Sequence, residues 1–181
     1  MADVKATHEP NEPRGLVRHY LRDLIYGAND GIITTFAVVT GVTGAALQPR
    51  IVVILGIANL LADGFSMGAS NFLSIRSDEA ARRAEGVDAL EPFPLRHGAV
   101  TFLAFVLAGA VPLASYVLDF GDAAFAVAIV LTMLALFVVG AARVVVTDAR
   151  WWRSGLEMTT IGAIAAAVAY GVGAFIARLT V

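Results

Sequence analysis

Long apolar stretches alternate with short polar segments along most of the chain. Five such stretches lie at about residues 24–47, 51–75, 97–118, 123–146 and 156–179. An α-helix needs about 20 mostly apolar residues to cross a hydrocarbon core about 30 Å thick. Each stretch therefore predicts one transmembrane helix, and the polar segments predict connections at the membrane surface.

Two soluble folds are the alternatives to this prediction. A buried parallel sheet does not fit, because strands are typically only about 4–8 residues long. A soluble helical bundle does not fit either, since its helices would need a polar face that these stretches lack. The predicted fold class is an all-α integral membrane protein with five transmembrane helices. An N-terminal segment, 1–23, precedes the membrane domain, 24–179, and a polar linker, 76–96, separates its second and third helices.

Composition narrows the chemistry that is open to the chain. Hydrophobic residues make up 58% of the chain and charged residues 15%, against about 25% charged residues in an average soluble domain. Without cysteine, a metal site would use oxygen, imidazole nitrogen or methionine sulfur. The sequence shows no Walker motif, no HExxH pair and no DNA-binding motif. We therefore expect no enzymatic activity, no resident cofactor and no nucleic-acid partner.

Lysine and arginine are unevenly distributed between the predicted connections. The N-terminal segment, the 76–96 linker and the connection before the fifth stretch hold eleven of them, and the alternate side holds two. The positive-inside rule places the N-terminus in the cytoplasm and the C-terminus outside. Met1–Pro13 is polar, contains two prolines and predicts a disordered tail. We do not expect it to be a signal peptide, because it has no apolar core. Lysine is scarce among the basic residues, which favours a GC-rich bacterium and hence its cytoplasmic membrane.

Asp30 is an ionisable residue inside the first apolar stretch. Such residues are costly within a membrane and usually mark a functional site. Thr34 follows one helical turn later and so lies on the same face. The alternative is an interfacial aspartate near a helix N-terminus, where the helix dipole favours negative charge.

A polar stripe with Asp63 at its centre runs along the second stretch. Its members recur every three or four residues, which places them on one face of a helix. They are Asn59, Asp63, Ser66, Met67, Ser70 and Ser74. A polar stripe across a bilayer needs a facing polar helix or water. The alternative is a hydrogen-bonded network that only holds helices together.

The residue types on these two faces point to a transition metal. Carboxylate and amide oxygens with a thioether form a mixed donor set, whereas Ca²⁺ and Mg²⁺ prefer oxygen alone. We interpret Asp30, Asp63 and Met67 as metal ligands. Helper ligands, or hydrogen-bond donors to the ligands, are Asn59, Thr34, Ser66 and Ser70. One protomer supplies few ligands, so a homodimer would complete the shell.

Other residues receive a weaker interpretation. The linker acids predict a solvated helix of mixed charge, with a cytoplasmic metal-collecting surface as the alternative. They are Asp78, Glu79, Glu85, Asp88 and Glu91. His8, His19 and His97 form no metal-ligand spacing and receive no role. Small residues at i and i+4, Gly27 with Gly31 and Gly64 with Gly68, predict closely packed helices.

Several motifs together resemble the vacuolar iron transporter family. The matching segments are YGANDGIITT at 26–35 with VTGVTG at 39–44, and ANLLADGFSMG at 58–68 with residues 74–79. Weaker similarity follows at 155–162 and 165–171. The resemblance covers about residues 18 to 179. It implies five spans, a cytoplasmic N-terminus and a homodimer whose pore lies between the first two spans of each protomer.

The resemblance also implies an activity, namely proton-coupled export of Fe²⁺ from the cytoplasm, with Mn²⁺ tolerated. The family's pathway aspartate and methionine correspond to Asp30 and Met67. A glutamate of some members falls at Asn59, so we expect Asp63 to supply its charge. The family's long cytoplasmic metal-binding helices are reduced to the short 76–97 linker. The alternatives are a non-transporting membrane assembly subunit and an exporter of small organic cations.

Overall fold

Helices make up nearly all of the chain in the computed structural model, which describes residues 13–145 and 150–180. The six α-helices are α1 (Pro13–Gly44), α2 (Pro49–Ala84), α3 (Pro94–Gly109), α4 (Ala114–Val117), α5 (Ala124–Ala142) and α6 (Trp151–Leu179), with 3₁₀ turns at Val111–Leu113, Gly121–Ala123 and Arg143–Val145. No strand occurs among these residues. The predicted all-α class is therefore confirmed.

Prolines set several of these boundaries. α2 and α3 begin at Pro49 and Pro94, where the missing N–H is not needed by the helix. Pro112 lies in the 3₁₀ turn between α3 and α4, because proline cannot donate the hydrogen bond that an α-helix would require there. α3, this turn and α4 nevertheless form one continuous helical segment from Pro94 to Val117.

Four helical segments are long and apolar enough to cross a membrane. They are Pro49–Ala84, Pro94–Val117, Gly121–Val145 and Trp151–Leu179. α1 is long enough at 32 residues, but it is not among the four. Asn29, Asp30 and a series of threonines lower its mean hydropathy. A fifth span in α1 therefore stays a prediction.

α1 is nonetheless the central helix of the protomer. It packs against α2, α3, α5 and α6, and Ile32, Phe36 and Val39 on it are almost completely buried. Large apolar side chains of the outer helices point away from the bundle, such as Leu107 and Val138, which are 72% and 64% exposed. Because neighbouring helices enclose α1, it needs less apolar surface than a helix that faces lipid.

Glycines let α1 and α2 approach α3 closely, as the sequence predicted. A Cβ atom on Gly27 would lie 2.5 Å from the carbonyl oxygen of Thr101, and one on Gly68 would lie 2.7 Å from that of Gly98. Gly31 and Gly64 also face α3. Both predicted glycine pairs therefore form helix contacts with the same neighbour.

Some boundaries differ from those predicted. α2 continues to Ala84, so residues 76–84 of the predicted linker are helical and only 85–93 connect α2 to α3. α1 already begins at Pro13, within the predicted N-terminal segment. Residues 1–12 of the predicted polar tail, and residue 146 at the predicted end of the fourth stretch, lie outside the described residues.

We expect Gly31→Ala to destabilise the bundle, since the added methyl group would overlap the backbone of Phe105. Overpacking of this kind costs about 1–3 kcal/mol. Thermal unfolding of the purified protein in detergent measures the loss. The matched control is Gly171→Ala, because a Cβ there meets nothing within 4 Å. Equal melting temperatures for the two variants would contradict the close contact of α1 with α3.

Candidate metal site

The structure brings Asp30 and Asp63 to the same level of the bundle. Each aspartate directly precedes a glycine that packs on Phe105 of α3: Gly31 meets its backbone, and a Cβ on Gly64 would lie 3.1 Å from its ring. The two aspartates, on different helices, therefore stand at one level, where a cation between their carboxylates would be attracted to both.

The polar stripe of α2 lies on the outer side of the protomer. Asp63, Ser66 and Ser70 are exposed, whereas Asn59 and Met67 are partly buried. The opposite side of α2 is buried at Leu60, Gly64 and Gly68. Asp30 is also partly buried. The predicted ligands thus stand at a surface between α1 and α2, open on the side away from α3.

Thr34 contributes less than a free hydroxyl would. Its Oγ1 donates to the carbonyl oxygen of Asp30 at 2.8 Å, one helical turn back. The hydroxyl proton is therefore engaged within α1, and the oxygen lone pairs are what Thr34 offers to a cation.

Buried polar atoms without partners accumulate on the same two helices. Asn29 Oδ1, Thr35 Oγ1 and Asn59 Nδ2 have no hydrogen-bond partner in the part of the chain that the structure describes. Such an atom costs about 1–3 kcal/mol when it is left unsatisfied. This cost favours additional partners for these atoms, such as water or another protein surface.

Sequence reasoning missed a second polar cluster, at the end of the bundle where α1 and α3 begin. His19 of α1 and His97 of α3 both approach Glu91 in the α2–α3 connection: Glu91 Oε2 lies 3.1 Å from His19 Nε2 and 3.0 Å from His97 Nε2. Asp23 Oδ2 lies 2.6 Å from His97 Nδ1. The available signal was His19 and Asp23 at i and i+4, on one helical face.

The prediction of a solvated linker was wrong for one acid. Glu79 is only 4% exposed, and its Oε1 accepts hydrogen bonds from the backbone N–H groups of Leu90 and Glu91 at 2.9 Å and 2.8 Å. Asp78, Glu85 and Asp88 are exposed, as expected. Glu79 is buried because the α2–α3 connection folds back onto the end of α2.

The class of the protein follows from these features. Four apolar helices that are long enough to span a bilayer surround a more polar central helix. The protein is therefore an integral membrane protein. The model of the VIT family matches residues 21–89 and 81–174. Since these ranges cover most of the chain, it belongs to the VIT family.

Named relatives support this assignment over most of the chain. A vacuolar iron transporter of Toxoplasma gondii is 27% identical over 87% of this chain and 74% of its own length. Vacuolar iron transporter homolog 3 of Arabidopsis thaliana is 31% identical over 84% and 80%. A vacuolar iron transporter of Plasmodium falciparum is 46% identical over 35% of this chain and 23% of its own. All three are named as transporters, in agreement with the expectation that the chain is not an enzyme.

Glu79→Ala should loosen the α2–α3 connection, because it removes the acceptor of two backbone hydrogen bonds. We expect amide exchange in residues 85–93 to accelerate about tenfold, which corresponds to about 1.4 kcal/mol of local stability. Hydrogen–deuterium exchange with mass spectrometry measures it. Glu85→Ala, at an exposed site on the same segment, should leave exchange unchanged. Unaltered protection in Glu79→Ala would show that Glu79 does not hold the connection.

Proposed function

We propose that this protein exports a divalent transition metal, Fe²⁺ and also Mn²⁺, from the cytoplasm in exchange for protons. The observation that carries the proposal is the position of Asp30 and Asp63 at one level of the bundle, with Met67 one helical turn from Asp63. The relatives named vacuolar iron transporters support the choice of cargo.

The ligand set follows from these positions. Asp30 and Asp63 supply carboxylate oxygens and Met67 supplies a thioether, a combination that suits transition metals better than Ca²⁺ or Mg²⁺. Asn59 supplies an amide at the position where some relatives are expected to carry a glutamate. Thr34, Ser66 and Ser70 supply oxygens along the path or hydrogen bonds to the carboxylates.

A homodimer explains why the polar stripe lies on the outside of the protomer. In a bilayer an exposed stripe containing a carboxylate is unfavourable unless water or another polar surface covers it. A two-fold axis would turn the same stripe of a second copy towards the first. The site would then hold two copies of each ligand around one path.

Proton coupling follows from the two carboxylates. Two negative charges at one level favour either a bound cation or protonation, and a metal ligand must be deprotonated. Metal and protons therefore compete for Asp30 and Asp63. Protons from outside displace the ion and are carried inwards.

The orientation rests on charge. Arg18 and Arg22 on α1, Arg82 and Arg83 on α2 and Arg96 on α3 belong to the helix ends that meet near His97. The positive-inside rule favours the cytoplasm for that end, which places the C-terminus outside. The membrane would be the cytoplasmic membrane of a bacterium.

The transport test uses liposomes with an acidic lumen and external Fe²⁺ kept reduced by ascorbate. We expect uptake that depends on the proton gradient and falls at least tenfold in Asp30→Asn and Asp63→Asn. Quenching of a lumenal metal-sensitive dye measures the rate. Asp122→Asn is the matched control, because this exposed carboxylate lies in the turn before α5.

Three results would overturn parts of the proposal. Metal uptake that does not depend on the proton gradient would indicate a channel or a uniporter. Full activity in Asp63→Asn would remove Asp63 from the ligand set. If the folded protein takes up no iron, manganese or cobalt, an assembly subunit or an organic-cation exporter becomes the better explanation.

The dimer can be tested cleanly because the chain has no cysteine. We expect Ser66→Cys and Ser70→Cys, on the exposed stripe, to form covalent dimers in membranes with a short bismaleimide. Val138→Cys, 64% exposed on α5, should remain monomeric on a denaturing gel. Equal cross-linking at all three positions would indicate random collision and contradict a dimer through α2.

A further inference from the structure

We propose that His19, Glu91 and His97 form a second binding site for a divalent transition metal, separate from Asp30 and Asp63. The site lies at the end of the bundle where α1 and α3 begin, beside the α2–α3 connection. Metal binding there does not depend on the proposed transport. Only its role as a loading station for the cargo rests on that function.

The distances between the three side chains suit one ion. Glu91 Oε2 lies 3.1 Å from His19 Nε2 and 3.0 Å from His97 Nε2. One ligand atom from each residue lies within 4.8 Å of the others. Two ligand atoms that are each about 2.1 Å from an ion, with an angle of about 90° at the ion, are about 3 Å apart. This separation matches the two distances to Glu91. Small side-chain movements therefore suffice to coordinate it.

The hydrogen bond to Asp23 leaves Nε2 as the nitrogen of His97 that can bind a metal. Asp23 Oδ2, 2.6 Å from His97 Nδ1, is a carboxylate oxygen and accepts the Nδ1 proton. In the neutral ring Nε2 then carries the lone pair, and it lies 3.0 Å from Glu91 Oε2. A cation bound between these two atoms would be held by both.

Protons are the competing way to satisfy Glu91. A neutral His19 can donate from its Nε2–H, and a His97 protonated on both nitrogens would be one imidazolium between Asp23 and Glu91. A divalent ion would replace these protons, so metal and protons compete for the site.

A buried network fixes the ring of His97. Asn71 Nδ2 donates to Asp23 Oδ1 at 2.9 Å and to Thr101 Oγ1 at 2.8 Å, and Thr101 Oγ1 donates to the carbonyl oxygen of His97 at 2.9 Å. Asp23 and His97 are 7% and 5% exposed. A carboxylate that accepts the second N–H of a ligating histidine is the usual support of metal sites.

A neighbouring cavity provides an independent indication. It measures about 540 Å³ and is lined by Glu79 together with all three proposed ligands. Glu79 is only 4% exposed. Its Oε2 atom is buried and has no hydrogen-bond partner among the described residues. An unpartnered carboxylate oxygen adds negative charge at the wall of the cavity, and this charge favours a cation inside it.

The donor set defines the class of ion. Two imidazole nitrogens and one carboxylate oxygen suit Mn²⁺, Fe²⁺, Co²⁺ or Zn²⁺, while Mg²⁺ and Ca²⁺ prefer oxygen ligands. The site also lies near the proposed path. Asp23 precedes Asp30 by seven residues on α1, about 10 Å along the helix axis.

The test uses the full-length protein in detergent, with any affinity tag removed, and Mn²⁺ as the probe. We expect pulsed electron paramagnetic resonance to show imidazole nitrogen coupled to bound Mn²⁺. His19→Gln should reduce this coupling. Glu91→Gln should weaken Mn²⁺ affinity at least tenfold, and Asp23→Asn about 10–100-fold. Asp122→Asn, in the exposed turn before α5, and His8→Gln should both behave as the unaltered chain.

Thermal unfolding and the Mn²⁺ signal together test the site. His19 is partly exposed, at 20%, so His19→Gln is expected to fold, and thermal unfolding verifies this. Bound Mn²⁺ without nitrogen coupling, or unchanged affinity in both His19→Gln and Glu91→Gln, would overturn the site. Nitrogen-coupled Mn²⁺ that persists in Asp30→Asn supports it. If the unaltered protein shows this signal but takes up no metal in liposomes, that result counts against the proposed transport alone.

Discussion

The close contact of α1 and α2 with one residue of α3 determines where the charged groups of this membrane protein stand. Gly31 and Gly64 both pack on Phe105, and the aspartates that precede them are thereby held at one level. A larger residue at Gly31 would separate α1 from α3, because the backbone atoms of Phe105 cannot yield, and a larger residue at Gly64 would crowd the Phe105 ring. The small residues that allow tight packing in lipid thus also set the register of the two carboxylates.

The polarity of α1 becomes understandable from its place at the centre. A helix with Asn29, Asp30 and several threonines is poorly suited to lipid, and the other long helices cover it instead. The stripe of α2 has no such cover within one protomer. The same physical rule, that polar groups in a bilayer must meet polar partners, therefore explains an enclosed helix in one case and favours a partner subunit in the other.

The two proposed ion sites share one electrostatic principle. At each of them groups that can bind a cation come together from different parts of the fold: the carboxylates of Asp30 and Asp63, and the imidazoles of His19 and His97 with the carboxylate of Glu91. Protons or a metal ion between the groups offset the cost of placing carboxylates there. They differ in donor type, since only the second contains nitrogen, and this difference lets spectroscopy distinguish them.

The sequence by itself determined the helical class, the approximate positions of the apolar segments, the presence of two aspartates within such segments and the glycine contacts. Each of these is a local pattern, because apolar length, helical period and small-residue spacing act between near neighbours. The tertiary structure decided the central place of α1, the burial of Glu79 and the meeting of His97 with Asp23, which are 74 residues apart in the chain. Such pairs depend on how helices pack and how the connection folds back, and no spacing in the sequence encodes them.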